Sequence, residues 1–270
     1  MFDAPFSSYQ RSRGRARVAL GATGALTGLF QQGSAKAMLP RTHGPLPEVV
    51  FLNTSGGLTG GDRFQFSLDV AAGAGAMAAT QTAERAYASP DGVAEVSVSL
   101  SAGEGATLFW LPQETILFDR SGLDRRTEVT LGEGARYLGL ETVVLGREAM
   151  GERVETLDFQ DVRVVRDAAG RVIHAEQIAL GSGTLAGRDR AAGLAGASVL
   201  ASLVYIAPDA GDRIGPVRAA LGDAPGCAAS AWDGRLTIRA MGRDSWDLRR
   251  ALIPAIRLLT NDHLPRVWQT

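Results

Sequence analysis

The chain carries few side chains suited to covalent chemistry. Its one cysteine, Cys227, lies in Pro225-Gly-Cys-Ala228 with nothing nearby to lower its pKa, so a small buried thiol is as good a reading as a reactive one. Ser182, in Leu180-Gly-Ser-Gly183, lacks the Gly-x-Ser-x-Gly spacing that lifts a nucleophile onto a strand-to-helix turn. His43, His174 and His263 fall at no metal-ligand spacing, and a single cysteine excludes a disulfide framework or a multi-cysteine zinc or iron–sulfur site. Lys36 is the only lysine, and it sits in neither a Schiff-base nor a phosphate-loop motif.

The densest motif is Leu52-Asn-Thr-Ser-Gly-Gly-Leu-Thr-Gly-Gly-Asp62. Its two glycine pairs, Gly56-Gly57 and Gly60-Gly61, could form a backbone nest for an anion. A phosphate or nucleotide loop, however, needs a following helix and usually a lysine. Here Arg63-Phe-Gln-Phe-Ser-Leu68 follows and alternates like a strand. The structural reading is stronger: after Asn53, the glycines let two backbones approach closely and Asp62 closes the turn.

Carboxylates are the remaining resource. Glu84, Glu114, Glu141, Glu148, Glu152 and Glu176 are scattered among apolar stretches, and most are expected to be solvated. A minority facing an internal cavity could hold a hard or borderline cation weakly.

Positioning these groups falls to strands. Three segments share a run, a Gly-x-Gly-Ala turn and a second run: Ser67–Ala76, Val98–Ala106 and Val129–Ala135. Their second glycines, Gly75, Gly105 and Gly134, recur about every 30 residues, and hairpins stacked at that period predict a solenoid. Val96, Val98 and Leu100 alternate with Ser97, Ser99 and Ser101, as a half-buried strand requires. Further hairpins are expected at 162–174, turning at Asp167–Gly170, and around Asp233-Gly234. Residues 197–206 read as a long apolar strand or a buried helix. Short helix is expected over 216–221, stopped by Gly222. A longer one, capped by Asp244 or Ser245, runs to Leu259 with Leu248, Leu252, Ile256 and Leu259 on one face and Pro254 kinking or dividing it. The fold class is therefore mainly β, with stacked β-layers or a β-helix-like solenoid and a small C-terminal helical element. No linker divides the chain, so residues 1–270 read as one domain.

Composition narrows the function. The chain has 270 residues, 45% of them hydrophobic and 21% charged, which is ordinary for a soluble domain and argues against disorder. The 28 basic and 29 acidic residues leave a formal charge of −1, without the basic footprint of a nucleic-acid binder. Arg11, Arg13, Arg15 and Arg17 precede an apolar run to Phe30, and Ala35-Lys-Ala37 follows, which together imitate a secretory signal. Gly21, Thr23, Gly24 and Thr27 interrupt the run, as suits a mature strand. Nothing approaches a membrane span. From residues alone, binding or scaffolding is favoured over catalysis. A secreted β-solenoid, or an enzyme using Gly56–Asp62 for phosphate, remains as an alternative.

In series, several segments resemble the urease accessory protein UreD (UreH) family. They are Gln32–Arg41, Leu52–Asp62, Thr80–Tyr87, Leu111–Phe118, Leu145–Glu152 and Leu264-Pro-Arg-Val-Trp268, in order along nearly the whole chain. The resemblance implies a cytoplasmic, non-enzymatic chaperone-scaffold of stacked β-layers. It implies partners: the accessory proteins UreF and, through it, the GTPase UreG, together with apo-urease. The implied task is to pass Ni²⁺ through an internal tunnel to the urease active site, with no tightly bound cofactor. Asp62, Glu84 and Glu176 are the candidate transient nickel contacts, only Asp62 being carried over with its motif; turn formation or pairing with arginine explains each equally well. On this reading Asp62→Ala is expected to leave folding intact while lowering nickel occupancy of urease, and the N-terminal run is a strand of the mature protein.

Overall fold

The computed structural model describes residues 11–42, 44–147 and 150–269, so His43 and Glu148 lie outside the described residues. The chain begins with the antiparallel pair β1 (Arg13–Leu20) and β2 (Leu26–Gly33), then crosses to a facing sheet as β3 (Ala35–Met38) and β4 (Glu48–Asn53). It next alternates between the sheets. β5 (Arg63–Val70) lies in the first and β6 (Gly75–Thr80) in the second; after the short β7 (Glu84–Ala86), β8 (Ala94–Ala102) and β9 (Thr107–Trp110) repeat the step. The short β10 (Thr115–Leu117) leads to a third such pair, β11 (Ser121–Leu131) and β12 (Arg136–Leu145), and β13 (Leu157–Asp167) returns to the first sheet. Equivalent strands stack in parallel: β1, β5, β8, β11 and β13 on one side, β4, β6, β9 and β12 on the other. Leu58, β7 and β10 stack along the corner between them. This is the expected solenoid of stacked coils.

The glycine turns work differently from the expectation. They are not hairpins within one sheet; they carry the chain from the first sheet to the second. Val70, Ala102 and Leu131 stand in register, which aligns Gly73, not Gly75, with Gly105 and Gly134. All three have positive φ (69°, 63° and 66°), and the turns hydrogen-bond to one another, Gly73 N to Glu104 O and Gly105 N to Glu133 O. Gly103 and Gly132 have a separate reason to be glycine, since a Cβ on either would strike the backbone of the turn below.

Antiparallel strands close the far end. β14 (Val172–Gly181) folds back on β13 through the turn at Asp167–Gly170, and α1 (Ser182–Ala186), not foreseen in the sequence, follows it. β15 (Val199–Ile206) pairs with β12, which settles residues 197–206 as strand. After α2 (Ile214–Leu221), β16 (Cys227–Trp232) and β17 (Arg235–Gly242) form the hairpin at Asp233-Gly234. α3 (Ser245–Leu259) is one helix, with the Asp244 side chain accepting from Asp247 N. Pro254 does not divide it: the proline is on the exposed face, where water can satisfy the carbonyl it leaves unbonded.

Burial explains the sequence patterns. The first sheet has a solvent face, so β1, β5 and β11 alternate buried and exposed. The second is also covered on much of its outer face, by α2, α3 and the C-terminal segment, so β9 reads as a mostly apolar, buried run and β4 is buried from Glu48 to Leu52. The arginine-led N-terminal run to Phe30 spans β1 and most of β2; Ala16, Val18 and Leu20 of β1 are buried in the core against the facing sheet, whereas β2 is largely exposed.

Candidate functional site

The glycine-rich motif forms the corner from β4 to β5. Asn53 stabilises its start, accepting from Ser55 N at 2.9 Å and donating to Gly57 O at 3.0 Å. Gly57 packs so closely on Arg85 O and the Tyr87 ring that no side chain fits, and Gly60 is pressed against the carbonyls of Asp91 and Gly92. Gly56 and Gly61 supply positive φ. Asp62 is 3% exposed, and its oxygens accept from Ser12 N (2.7 Å) and Thr59 N (2.9 Å). A strand, not a helix, follows the motif, so it lacks the helix N-terminus a phosphate loop uses.

This engagement changes the expectation for Asp62→Ala. Removing the carboxylate strands two backbone donors at a packed corner, so the substitution should cost stability rather than leave folding intact.

Glu84 stands next to this corner on β7. Asn53 Nδ2 lies 3.3 and 3.4 Å from its two oxygens, and Arg85 N donates to Oε1 at 3.1 Å. Burial pushes its carboxyl above the usual range, opposed by the Asn53 and Arg85 hydrogen bonds, while the Asp62 charge adds to the rise. Glu84 lines two small cavities. The outer, about 60 Å³, also contacts Asn53, Gln81 and Thr82; the inner, about 50 Å³, contacts Trp110, Thr115, Arg125 and Glu141. Each has room for a water molecule beside polar groups.

Beyond the inner cavity a charged seam runs between the sheets. Arg125 donates from Nε and Nη2 to the two oxygens of Asp161, at 2.9 and 3.1 Å, and from Nη1 to Thr115 at 2.9 Å. Glu141 Oε2 is 2.9 Å from Arg125 Nη1, and Glu141 Oε1 accepts from Trp110 Nε1 at 3.0 Å. Asp161 also lies 3.5 Å from Arg163, whose Nη2 is 2.7 Å from Glu176. Glu176 accepts from Ser202 at 2.8 Å and contacts Arg239 Nη2 at 2.8 Å. Arg239, about half exposed, brings the seam to the surface. Burial opposes ionisation of Asp161, but Arg125 and Arg163 outweigh it and hold the carboxyl below its ordinary value. Burial dominates at Glu141 and pushes it up. It also drives the neighbouring His174 down, helped by Arg163, Arg239 and Arg235 and resisted by Glu176.

The structure therefore places Glu84 and Glu176 toward opposite ends of one polar seam, with Asp62 beside Glu84 but bound to backbone. Among the described residues no three His, Cys, Asp or Glu side chains are grouped to hold a metal. Arg125, Asp161, Arg163, Ser202 and Arg239 escaped the sequence reading. A signal existed for some: in Phe159-x-Asp161-x-Arg163-x-Val165, charged residues share the parity of apolar ones, which places them inside.

The quoted motifs also meet in space. Trp268, in the C-terminal Leu264–Trp268 segment, donates to Leu111 O at 2.8 Å, and Gln113 Nε2 donates back to Val267 O at 2.8 Å. Residues 12–269 match the UreD urease accessory protein family. The chain belongs to the UreD family. It is 52% identical to the urease accessory protein UreD of Cereibacter sphaeroides (strain ATCC 17025 / ATH 2.4.3), over 98% of each chain. It is 50% identical to the protein of that name from Paracoccus denitrificans (strain Pd 1222), over all of this chain and 96% of the relative. A Rhizobium leguminosarum bv. viciae UreD is 44% identical over 96% of each. Membership of UreD carries a coarse function: an accessory part in urease maturation. No helix among the described residues is long and apolar enough to cross a membrane.

Proposed function

We propose that the chain is a cytoplasmic chaperone-scaffold that binds apo-urease and the accessory proteins UreF and, through UreF, UreG, and that it helps deliver Ni²⁺ to the urease active site. Nickel is the cargo, held transiently, and no cofactor is bound tightly. The observation that carries this reading is the polar seam, in which Glu84 separates an outer cavity from an inner one that opens onto Glu141 and Arg125. An otherwise apolar interior retains such groups at a desolvation cost, so a role beyond packing is the economical account.

The chemistry suits a conduit. Arg125, Arg163 and Arg239 already neutralise Glu141, Asp161 and Glu176. A divalent cation must compete with guanidinium for each carboxylate, which keeps any dwell short. Glu84 has no arginine within salt-bridge distance among the described residues and is the acid most open to a cation. Asp62 supports it by holding the corner, and Glu176 is the exit group beside Arg239.

The test is urease activity and nickel content in cells lacking only this chain, grown with ample nickel. Apo-urease at normal abundance, restored by wild type but poorly by Glu84→Gln, is expected. Fully loaded urease in the deletion strain would reject the proposal.

A further inference from the structure

Among the described residues the first sheet ends at β2. β2 carries no charged residue, and its outer edge pairs with no strand among the described residues. Leu26, Leu29 and Phe30 are 46%, 47% and 47% exposed. Register sets Leu26 opposite Leu20 and Leu29 opposite Val18, both core residues. The two leucines thus extend the inner apolar face past the last coil that roofs it. Solenoids need a polar cap at such an end, and proteins usually blunt an apolar edge strand with charge.

The outward face of the same end is basic. Arg13 and Arg63 stand in register and, with Arg15, Gln32 and Gln65, line a surface trough of about 400 Å³. Arg63 pairs with Glu95, and Arg17, further along β1, with Asp69. Arg13 and Arg15 meet no carboxylate among the described residues; Arg15 lies over the Phe30 ring.

We propose that β2 is completed by an extended, acidic segment of a partner protein in the urease-maturation assembly. Added as a further strand, its alternate side chains would face opposite ways. Apolar ones would cover Leu26 and Leu29, and carboxylates would reach Arg13 and Arg15. A second copy of this chain fits less well, because it brings another arginine strip to the same face.

The inference rests on the function proposed above. The test uses the full chain with apo-urease and with the UreF–UreG pair as separate probes, at low and high salt. Wild type is expected to bind at least one of them, more weakly at high salt. Arg13→Glu/Arg15→Glu and Leu29→Lys should each weaken that complex about tenfold or more, while Arg126→Glu, a charge reversal elsewhere on the sheet, should not. Wild-type binding by both β2-end variants would overturn the proposal. So would a dimer of the free chain that Leu29→Lys dissolves, or protection, in the free monomer, of those amides of 26–33 that point away from β1, which would assign the edge to this chain's own residues. Binding of neither probe by wild type would reject the broader function and this inference with it.

Discussion

Arg125 grips Asp161 with two parallel hydrogen bonds, Nε to Oδ1 and Nη2 to Oδ2, where neither side chain reaches solvent freely. The two residues are direct register partners on the parallel strands β11 and β13, so one backbone alignment sets the whole fork. Paired in this way the charges offset each other's desolvation; singly, neither would be tolerated.

Breaking that pair from one side should be costly. Asp161→Ala leaves Arg125 and Arg163 underpaired and is expected to destabilise by about 3–5 kcal/mol. The double variant Arg125→Met/Asp161→Leu should lose less than the sum of the single changes. Urea denaturation of all four proteins measures the coupling, and strict additivity would contradict the account.

Glu84 should behave in the opposite sense. Its folded-state carboxyl is raised by burial, so the native chain holds that proton to higher pH than the unfolded chain. Stability from this group is present below the unfolded value, roughly 4.3, and is lost as pH rises through the folded value. Glu84→Gln should therefore raise Tm at pH 7, with the gain vanishing in acid. A lower Tm for the variant at neutral pH would refute this.

His174 sets a second pH window. Burial depresses its folded-state pKa, so the unfolded chain takes up the proton first as pH falls below roughly 6.5. Stability from the neutral ring is present above that value and declines below it, until the folded ring also titrates. His174→Gln should flatten the part of the stability–pH slope that this residue supplies, as thermal melts across that range would reveal.

The corner offers a graded pair. Asp62→Ala strands Ser12 N and Thr59 N and is expected to cost about 1–3 kcal/mol. Asp62→Asn keeps an acceptor and should cost less. Guanidinium titrations of the purified chains compare them.

Two glycines in one turn should separate two effects. Gly134 faces open space with φ of 66°, so Gly134→Ala pays only for the left-handed backbone, about 1–2 kcal/mol. Gly132→Ala drives a methyl into the Glu104 backbone and should cost more, although Gly132 is not among the positive-φ glycines. Equal losses would mean that stacking of the turns is looser than the contacts require.

Local chemistry made much of this architecture legible. Alternation in Arg13–Leu20 and Val96–Ser101, the Asp233-Gly234 turn, and Asp244 before the Leu248–Leu259 stripe each depend on neighbours within a few residues. Even the glycine-rich corner was readable, because close approach and turn closure are local demands. The alignment of the repeats was not: Gly73 and Gly75 both fit the turn pattern, and only pairing of Val70 with Ala102 distinguishes them.

The seam depended still more on tertiary structure. Glu84, Glu141 and Glu176 are three acids among many in the sequence, without a visible relation to one another. Parallel register brings Arg125 to Asp161, and the facing sheets bring Arg163 and Glu176 to Ser202 and Arg239. By itself the sequence determined a β-solenoid with a C-terminal helix, because short-range patterns dictate strands, turns and caps. Only the tertiary structure decided which charges share the interior, because ion pairing depends on distances between residues that the chain separates by dozens of positions.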